Sequence, residues 1–388
     1  MAGQIVHFSF LTAAQRREIF LEEPVSLARD ADRTLLADTL GATLYTPAHH
    51  RDVGKRLTRA LESGSTSAVV CLEDAVPDDD VEDAESNLVA QLTELACAEE
   101  FLDIPLLFVR VRSPNQMGRL VERLGRAARL LTGFVLPKFT AANGTGWLEA
   151  VGDAARVVGA RLYAMPVLEG PEVLYPEHRH RELAELASLL HHQRDLVLTV
   201  RIGGTDLCGL LGLRRASDET IYDLAPLRDC IADIVNVFSR EEGRHVISGP
   251  VWEYFTPRPR IWKPQLRQSL FDRYNVTGSD LRRRLIGRHL DGLIAEVLLD
   301  RAHGLLGKTV IHPTHVRAVN ALSVVDYEEL TDARQVLDGQ RGGASASAHG
   351  NKMNERKPHR LWAERVLRRA ATFGVYREEM SFVEILNA

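Results

Sequence analysis

Eight short apolar runs, each separated from the next by an amphipathic stretch of helix length or a longer connection, occupy the middle of this chain. The strand candidates are residues 42–46, 68–72, 105–111, 133–137, 161–168, 196–202, 245–248 with its continuation, and 308–311. Between them, residues 78–99, 116–131, 147–158 and 183–192 carry apolar side chains at the spacing of helices packed on a sheet. Apolar runs this short and this unbroken belong to strands covered on both faces, and their alternation with helices makes a parallel sheet. The pattern predicts an α/β chain folded as a (β/α)8 TIM barrel. An open doubly wound sheet is the alternative. The barrel is favoured because no G-x-G-x-x-G follows the first strand and acidic residues recur at successive strand ends.

The flanks differ from the middle. Residues 1–40 read as an N-terminal lead-in of charged, helix-compatible stretches, residues 41–325 as the barrel, and residues 326–388 as a C-terminal extension. Within the extension, residues 338–350 are rich in Gly, Ser and Ala and predict a mobile loop. Residues 360–373 resume a helical pattern that ends at Gly374, a suitable C-cap. Loop and helix together suit a lid, an arm reaching a neighbouring subunit, or a plain linker to a packing helix.

A chain of 388 residues with 45% hydrophobic content can bury a large core. Its net charge of -5 argues against nucleic acid as a partner, and the basic run Arg282-Arg283-Arg284 reads as a solvated helix face, with an anion contact as the alternative. The four cysteines lie far apart, which argues against a disulfide framework or a structural zinc site and suits a reducing cytoplasm. Neither an export signal nor a membrane span is evident, so a cytoplasmic, soluble protein is expected.

Functional groups of such barrels gather at the C-terminal ends of the strands. Two acids stand out there: Glu169 closes the run Arg161-Leu-Tyr-Ala-Met-Pro-Val-Leu-Glu-Gly170, and Asp206 follows Leu196-Val-Leu-Thr-Val-Arg-Ile-Gly-Gly-Thr. Carboxylates on neighbouring strand tips, beside flexible glycines, suit one hard divalent ion that keeps sites for water or substrate. This points to metal-assisted chemistry on a small oxygen-rich molecule. The structural alternative makes both acids rim partners of Arg201 or Lys138.

Other strand ends carry Thr46 with His49, His50 and Arg51, then Glu73 and Asp74, Arg110 and Arg112, Lys138, and His312. Arg110 and Arg112 lie two apart and point the same way, as a carboxylate- or phosphate-binding pair would. Arg110 is the better candidate for substrate; the alternative pairs one of the two with Glu73 or Asp74. Lys138 suits a Schiff-base nucleophile if buried, but the carboxylates nearby favour a salt bridge. No serine-hydrolase elbow or NTP-binding loop is present.

Taken in order, Leu44-Tyr-Thr-Pro47, Leu72-Glu-Asp-Ala-Val76, Val109-Arg-Val111, Gly133-Phe-Val-Leu-Pro-Lys138, Leu168-Glu-Gly170, Gly203-Gly-Thr-Asp-Leu207 and Ile311-His-Pro313 resemble the citrate lyase beta subunit/malyl-CoA lyase family, grouped with the HpcH/HpaI aldolases. The resemblance implies a homo-oligomeric barrel that makes or breaks a carbon–carbon bond beside a carbonyl. It implies Mg2+, or Mn2+, held by Glu169 and Asp206, with Arg110 on the carbonyl or enolate oxygen. Glu73 and Asp74 would orient that arginine and hold water on the metal. The amides of Gly203, Gly204 and Thr205 would receive a carboxylate, and Arg112 is a further substrate candidate. The expected partner is a small carboxylate or an acyl-CoA, with a CoA thioester as one substrate form.

Three departures from the family's pattern accompany it. Cys71 stands where an Asp is usual, Arg112 where an Asn is usual, and the C-terminal Gly-Lys-Met-x-Asp stretch reads Asn351-Lys-Met-Asn-Glu355, with Glu355 the replacement for its Asp. A metal-dependent aldolase of free 2-oxo acids is therefore an alternative. So is a non-catalytic barrel that keeps its metal and anion site as a ligand-binding or assembly component.

Overall fold

The computed structural model describes residues 4–97, 104–255, 290–338 and 343–388. The run Arg282-Arg283-Arg284 lies outside them. Eight parallel strands form the central sheet: β1 (Ala42–Pro47), β2 (Ser67–Cys71), β3 (Leu106–Arg110), β4 (Leu131–Leu136), β5 (Tyr163–Leu168), β6 (Thr199–Ile202), β7 (Val246–Ser248) and β8 (Lys308–Val310). Each pairs with its neighbour in sequence, and β8 returns to β1. A bridge between Gly249 and Lys308 closes the ring, supported by the Gly249 N–H donating to the Gly307 carbonyl at 3.0 Å. The (β/α)8 barrel is the observed architecture.

Two-sided burial explains the unbroken apolar runs. Ala68, Val70, Leu107, Val109, Phe134 and Leu136 face outward into the helix layer. Val69, Phe108, Val135, Met165 and Val167 face inward and fill the barrel. The N-terminal end is plugged by helix Arg33–Thr39, which adds Leu36, Ala37 and, just past it, Leu40 to the interior cluster. Arg33 fixes this plug by donating to the Val197 carbonyl at 3.0 Å, just below β6.

The flanks depart from expectation. Alongside its helices the lead-in carries three short strands: Gln4–Ile5 pairs with Leu27–Ala28, and Phe20–Glu22 pairs with Val375–Tyr376 near the C-terminus. The second pairing buries Phe20 and Tyr376 in one cluster, so the two chain ends share a layer. The Gly/Ser/Ala segment contains a strand, Ala344–Ala346, paired antiparallel with Met353–Glu355. The pairing is anchored from the second strand and the turn before it. Lys352 bridges Glu328 at 2.7 Å and Asp332 at 2.8 Å, while Asn354 donates to Asp332 at 2.9 Å. Residues 339–342 of that segment lie outside the described residues.

The expected terminal helix spans Arg356–Phe373 and ends at Gly374, whose φ of 83° lies in the left-handed region. It packs on the plug helix, with Arg368 3.3 Å from Asp38, and Arg365 donates to the Ser239 carbonyl below β7 at 2.8 Å. This terminal helix therefore lies against the N-terminal end of the barrel, opposite the mouth.

Candidate active site at the barrel mouth

Four acids and two cations converge at the C-terminal strand ends. Arg110 is the last residue of β3, in register with the inward-facing Cys71 of β2. Its Nη2 lies 2.7 Å from Glu73 Oε2, 3.1 Å from Asp74 Oδ2 and 3.1 Å from Glu169 Oε1. Burial opposes its charge, but Glu169, Tyr45 and Glu73 outweigh it and push the guanidinium pKa up. Arg110 Nε is buried with no hydrogen-bond partner among the described residues.

Glu169 follows β5 and is 3% exposed. Its Oε1 also accepts the backbone N–H of Lys138 at 2.8 Å. That N–H is aimed by a turn after β4 in which Lys138 takes a φ of 48°, uncommon for a side chain with a Cβ. Burial raises the Glu169 pKa to about 7; Arg110 opposes the rise and Asp206 adds to it. The Lys138 ammonium pairs with Glu73 Oε1 at 2.8 Å and with Asp74 Oδ1 at 3.4 Å. The Glu73 hydrogen bond leads the causes that raise its pKa. The salt-bridge reading of Lys138 fits this geometry.

Asp206 lies in the first turn of helix Gly204–Leu210, directly after β6. Burial and then Asp74 push its pKa up, against Arg110 and Lys138, and it interacts with the Glu169 carboxyl. Arg201 is not a rim partner of either acid. It points into the barrel, 2.5 Å from Thr309 Oγ1 and 3.5 Å from Thr43 Oγ1.

Two expected substrate contacts are placed otherwise. Arg112 donates to the carbonyls of Leu72 at 2.8 Å, Val76 at 2.6 Å and Glu73 at 3.3 Å, and pairs with Asp78. Its guanidinium clamps the loop after β2. The Gly203 N–H donates to the Leu168 carbonyl at 3.1 Å, which narrows the expected amide set to Gly204 and Thr205. The Thr205 hydroxyl donates to Glu253 at 2.6 Å. Away from the acids, His312 caps helix Pro313–Ala321 and stacks on Phe255, with ring centroids 4.9 Å apart.

Sequence reasoning passed over Tyr45. It faces inward between Thr43 and Pro47 on β1, and its phenol feels Arg201, Arg110, Cys71 and Glu169. The inward parity of β1 was the signal that singled it out.

Among the described residues, no group of three or more His, Cys, Asp or Glu side chains is arranged to hold a metal ion. The donor set nonetheless suits one hard divalent cation. Glu169 and Asp206 are both pushed toward protonation, burial being the leading cause, and the four acids exceed the two cations among them by two charges. Paired oxygen donors in a half-dry site carry that strain until a cation relieves it. No helix among the described residues is long and apolar enough to cross a membrane.

Residues 34–375 match the model of a family described as the C-C bond lyase of the TIM-barrel fold. No curated protein sequence matches the chain. Among solved structures, the protein CitE from Mycobacterium tuberculosis in complex with magnesium, acetoacetate and coenzyme A aligns over 86% of this chain and 99% of its own. It does so at 21% identity with a TM-score of 0.53. RipC from Yersinia pestis aligns over 74% and 95%, at 16% identity with a TM-score of 0.43. The citrate lyase beta subunit from M. tuberculosis, complexed with oxaloacetate and magnesium, aligns over 73% and 96%, at 19% identity with a TM-score of 0.42. At such identities the first of these likenesses speaks for the fold alone.

Proposed function

The chain belongs to the C–C bond lyase family of the TIM-barrel fold, and on that premise we propose that its mouth makes or breaks a carbon–carbon bond beside a carbonyl. The substrate class is a small carboxylated hydroxyacid or its CoA thioester. One observation carries the reading: Arg110 Nη2 lies within 3.1 Å of acids from two different strand ends, Glu73 and Glu169. Cleavage beside a carbonyl leaves a carbanion that survives only as an enolate, so the site must present positive charge to an oxygen. The guanidinium provides such charge in a fixed place, because Glu73, Asp74 and Glu169 all hold its Nη2.

In this reading Glu169 and Asp206 hold Mg2+, or Mn2+, and Glu73, Asp74 and Lys138 keep Arg110 aligned. The metal, when bound, supplies Lewis-acid charge that needs no proton exchange. The Gly204 and Thr205 amides receive the substrate carboxylate. The CitE structure with magnesium, acetoacetate and coenzyme A supports this choice of ligand class. The helix that Glu355 opens packs on the plug helix at the far end of the barrel, which supports a part for Glu355 at a neighbouring copy's mouth in a homo-oligomer.

The test is titration calorimetry with Mg2+ and with oxalate, a planar stand-in for an enolate. Oxalate should bind only when Mg2+ is present, and both Glu169→Ala and Asp206→Ala should abolish this. Survival of a metal-dependent affinity in both variants would remove the two acids from the reaction. Acetyl-CoA and pyruvate as competing ligands separate the thioester from the free 2-oxo acid.

A further inference from the structure

Arg201 is 2% exposed inside the barrel, and its hydrogen-bonding partners are neutral. Besides Thr309 and Thr43, the guanidinium touches Met165 Sδ at 3.8 Å and lies over the Tyr45 ring, 5.7 Å from the centroid. Taking a guanidinium out of water without a counter-ion is costly unless negative charge nearby offsets it. Burial accordingly pulls its pKa down, while Tyr45 acts to restore it.

Tyr45 stands between this cation and the mouth. It occupies an inward position of β1, two residues before Pro47, which is level with Cys71 and through it Arg110. It packs against the interior cluster yet stays partly exposed. Burial raises the phenol pKa, with Arg201 and Arg110 opposing, so the hydroxyl keeps its proton at neutral pH.

We propose, building on the lyase reading above, that the Tyr45 hydroxyl contacts the substrate as a hydrogen-bond donor and that Arg201 is its positioning residue. The ligand oxygen it takes is an anionic one, of a carboxylate or an enolate. A cation over the ring draws density from the phenol and makes its O–H a stronger donor, most of all where water is scarce. A bound anion would in turn supply the negative charge that Arg201 lacks.

Calorimetry with the full chain, Mg2+ and oxalate tests this. Tyr45→Phe removes one oxygen and should weaken oxalate binding roughly 10- to 100-fold, the range for a hydrogen bond to a charged group. Binding of Mg2+ alone and the ligand-free melting temperature should not change. Arg201→Met should weaken oxalate comparably and Arg201→Lys much less. The double variant, Tyr45→Phe with Arg201→Met, should bind no worse than Arg201→Met alone, because both act through one hydrogen bond. Oxalate affinity unaltered by Tyr45→Phe overturns the proposal, as do additive losses in the double variant. If Arg201→Met does not fold, Tyr45→Phe decides alone. Wild-type protein without Mg2+-dependent oxalate binding overturns the lyase reading and this proposal with it; wild-type binding matched by Tyr45→Phe overturns only this one.

Discussion

Gly203 leaves open the space that Glu169 fills: a Cβ at position 203 would fall 2.2 Å from Glu169 Oε2 and 2.4 Å from its Cβ. The tip of β6 is thus bare so that the acid from β5 can lie across it toward Asp206. The φ of Gly203 is -86°, so the requirement is for room and not for a left-handed backbone.

Gly203→Ala should therefore displace Glu169 as a whole, because the clash reaches its Cβ as well as its carboxylate. A shift of about 1 Å in a catalytic group costs on the order of 100-fold in rate. Mg2+-dependent exchange of the pyruvate methyl protons in heavy water, followed by NMR, should drop by about that factor. Exchange at the wild-type rate would mean that Glu169 is not where the chemistry happens.

Lys138 is expected to form no Schiff base. Its ammonium is 2.8 Å from Glu73 Oε1 and its pKa is raised, so the free amine that must attack a carbonyl is scarce. Borohydride added with pyruvate should leave Lys138 unmodified by mass spectrometry. A reduced adduct at that residue would place the protein among the metal-independent aldolases.

The barrel was legible because strands covered on both faces need unbroken apolar runs, and all eight were found within a few residues of their observed limits. Glu169, Asp206 and Arg110 were legible because strand ends are where side chains change from packing to reaching outward. The partners of Arg112 were not legible because parity gives a direction and not an occupant: the guanidinium turns to carbonyls at 72, 73 and 76 that no pattern in the sequence reveals. The strand Phe20–Glu22 was missed because its partner, Val375–Tyr376, lies at the other end of the chain. Such pairing leaves no local periodicity. Tyr45 was passed over because an aromatic residue in a strand reads as core; its inward parity places it in the barrel, and the buried Arg201 beneath it then sets it apart from packing residues.

Arg112→Ala should loosen the loop after β2. Losing these hydrogen bonds to carbonyls lowers folding stability by about 1–3 kcal/mol, measurable as a lower urea midpoint. A substrate contact would behave differently, leaving the midpoint in place and weakening oxalate instead.

Three buried histidines should each cost stability as pH drops from 6.5 toward 4. Burial lowers the pKa of His7 to about 3, and of His245 and His315 to about 4. Below 6.5 the unfolded chain takes up protons at these rings and the folded chain does not, so the unfolded state gains. Each contribution is present in full above 6.5 and is lost toward the folded value, up to about 3 kcal/mol per ring at pH 4. Asp38 and Glu169, raised by burial to about 6 and about 7, run the other way. Their protonated folded forms add stability that is present below about 4 and lost as pH climbs through those values. Rings and acids oppose one another, so a substitution is needed to isolate one ring's contribution. His7 holds the Thr39 carbonyl through Nε2 at 3.1 Å and packs tilted against Phe373, with ring centroids 4.2 Å apart. His7→Gln retains a donor without a titrating ring, so urea midpoints measured from pH 7 to 4 should decline less steeply than in the wild type. Parallel declines in the two proteins would show that His7 is already protonated in the folded state.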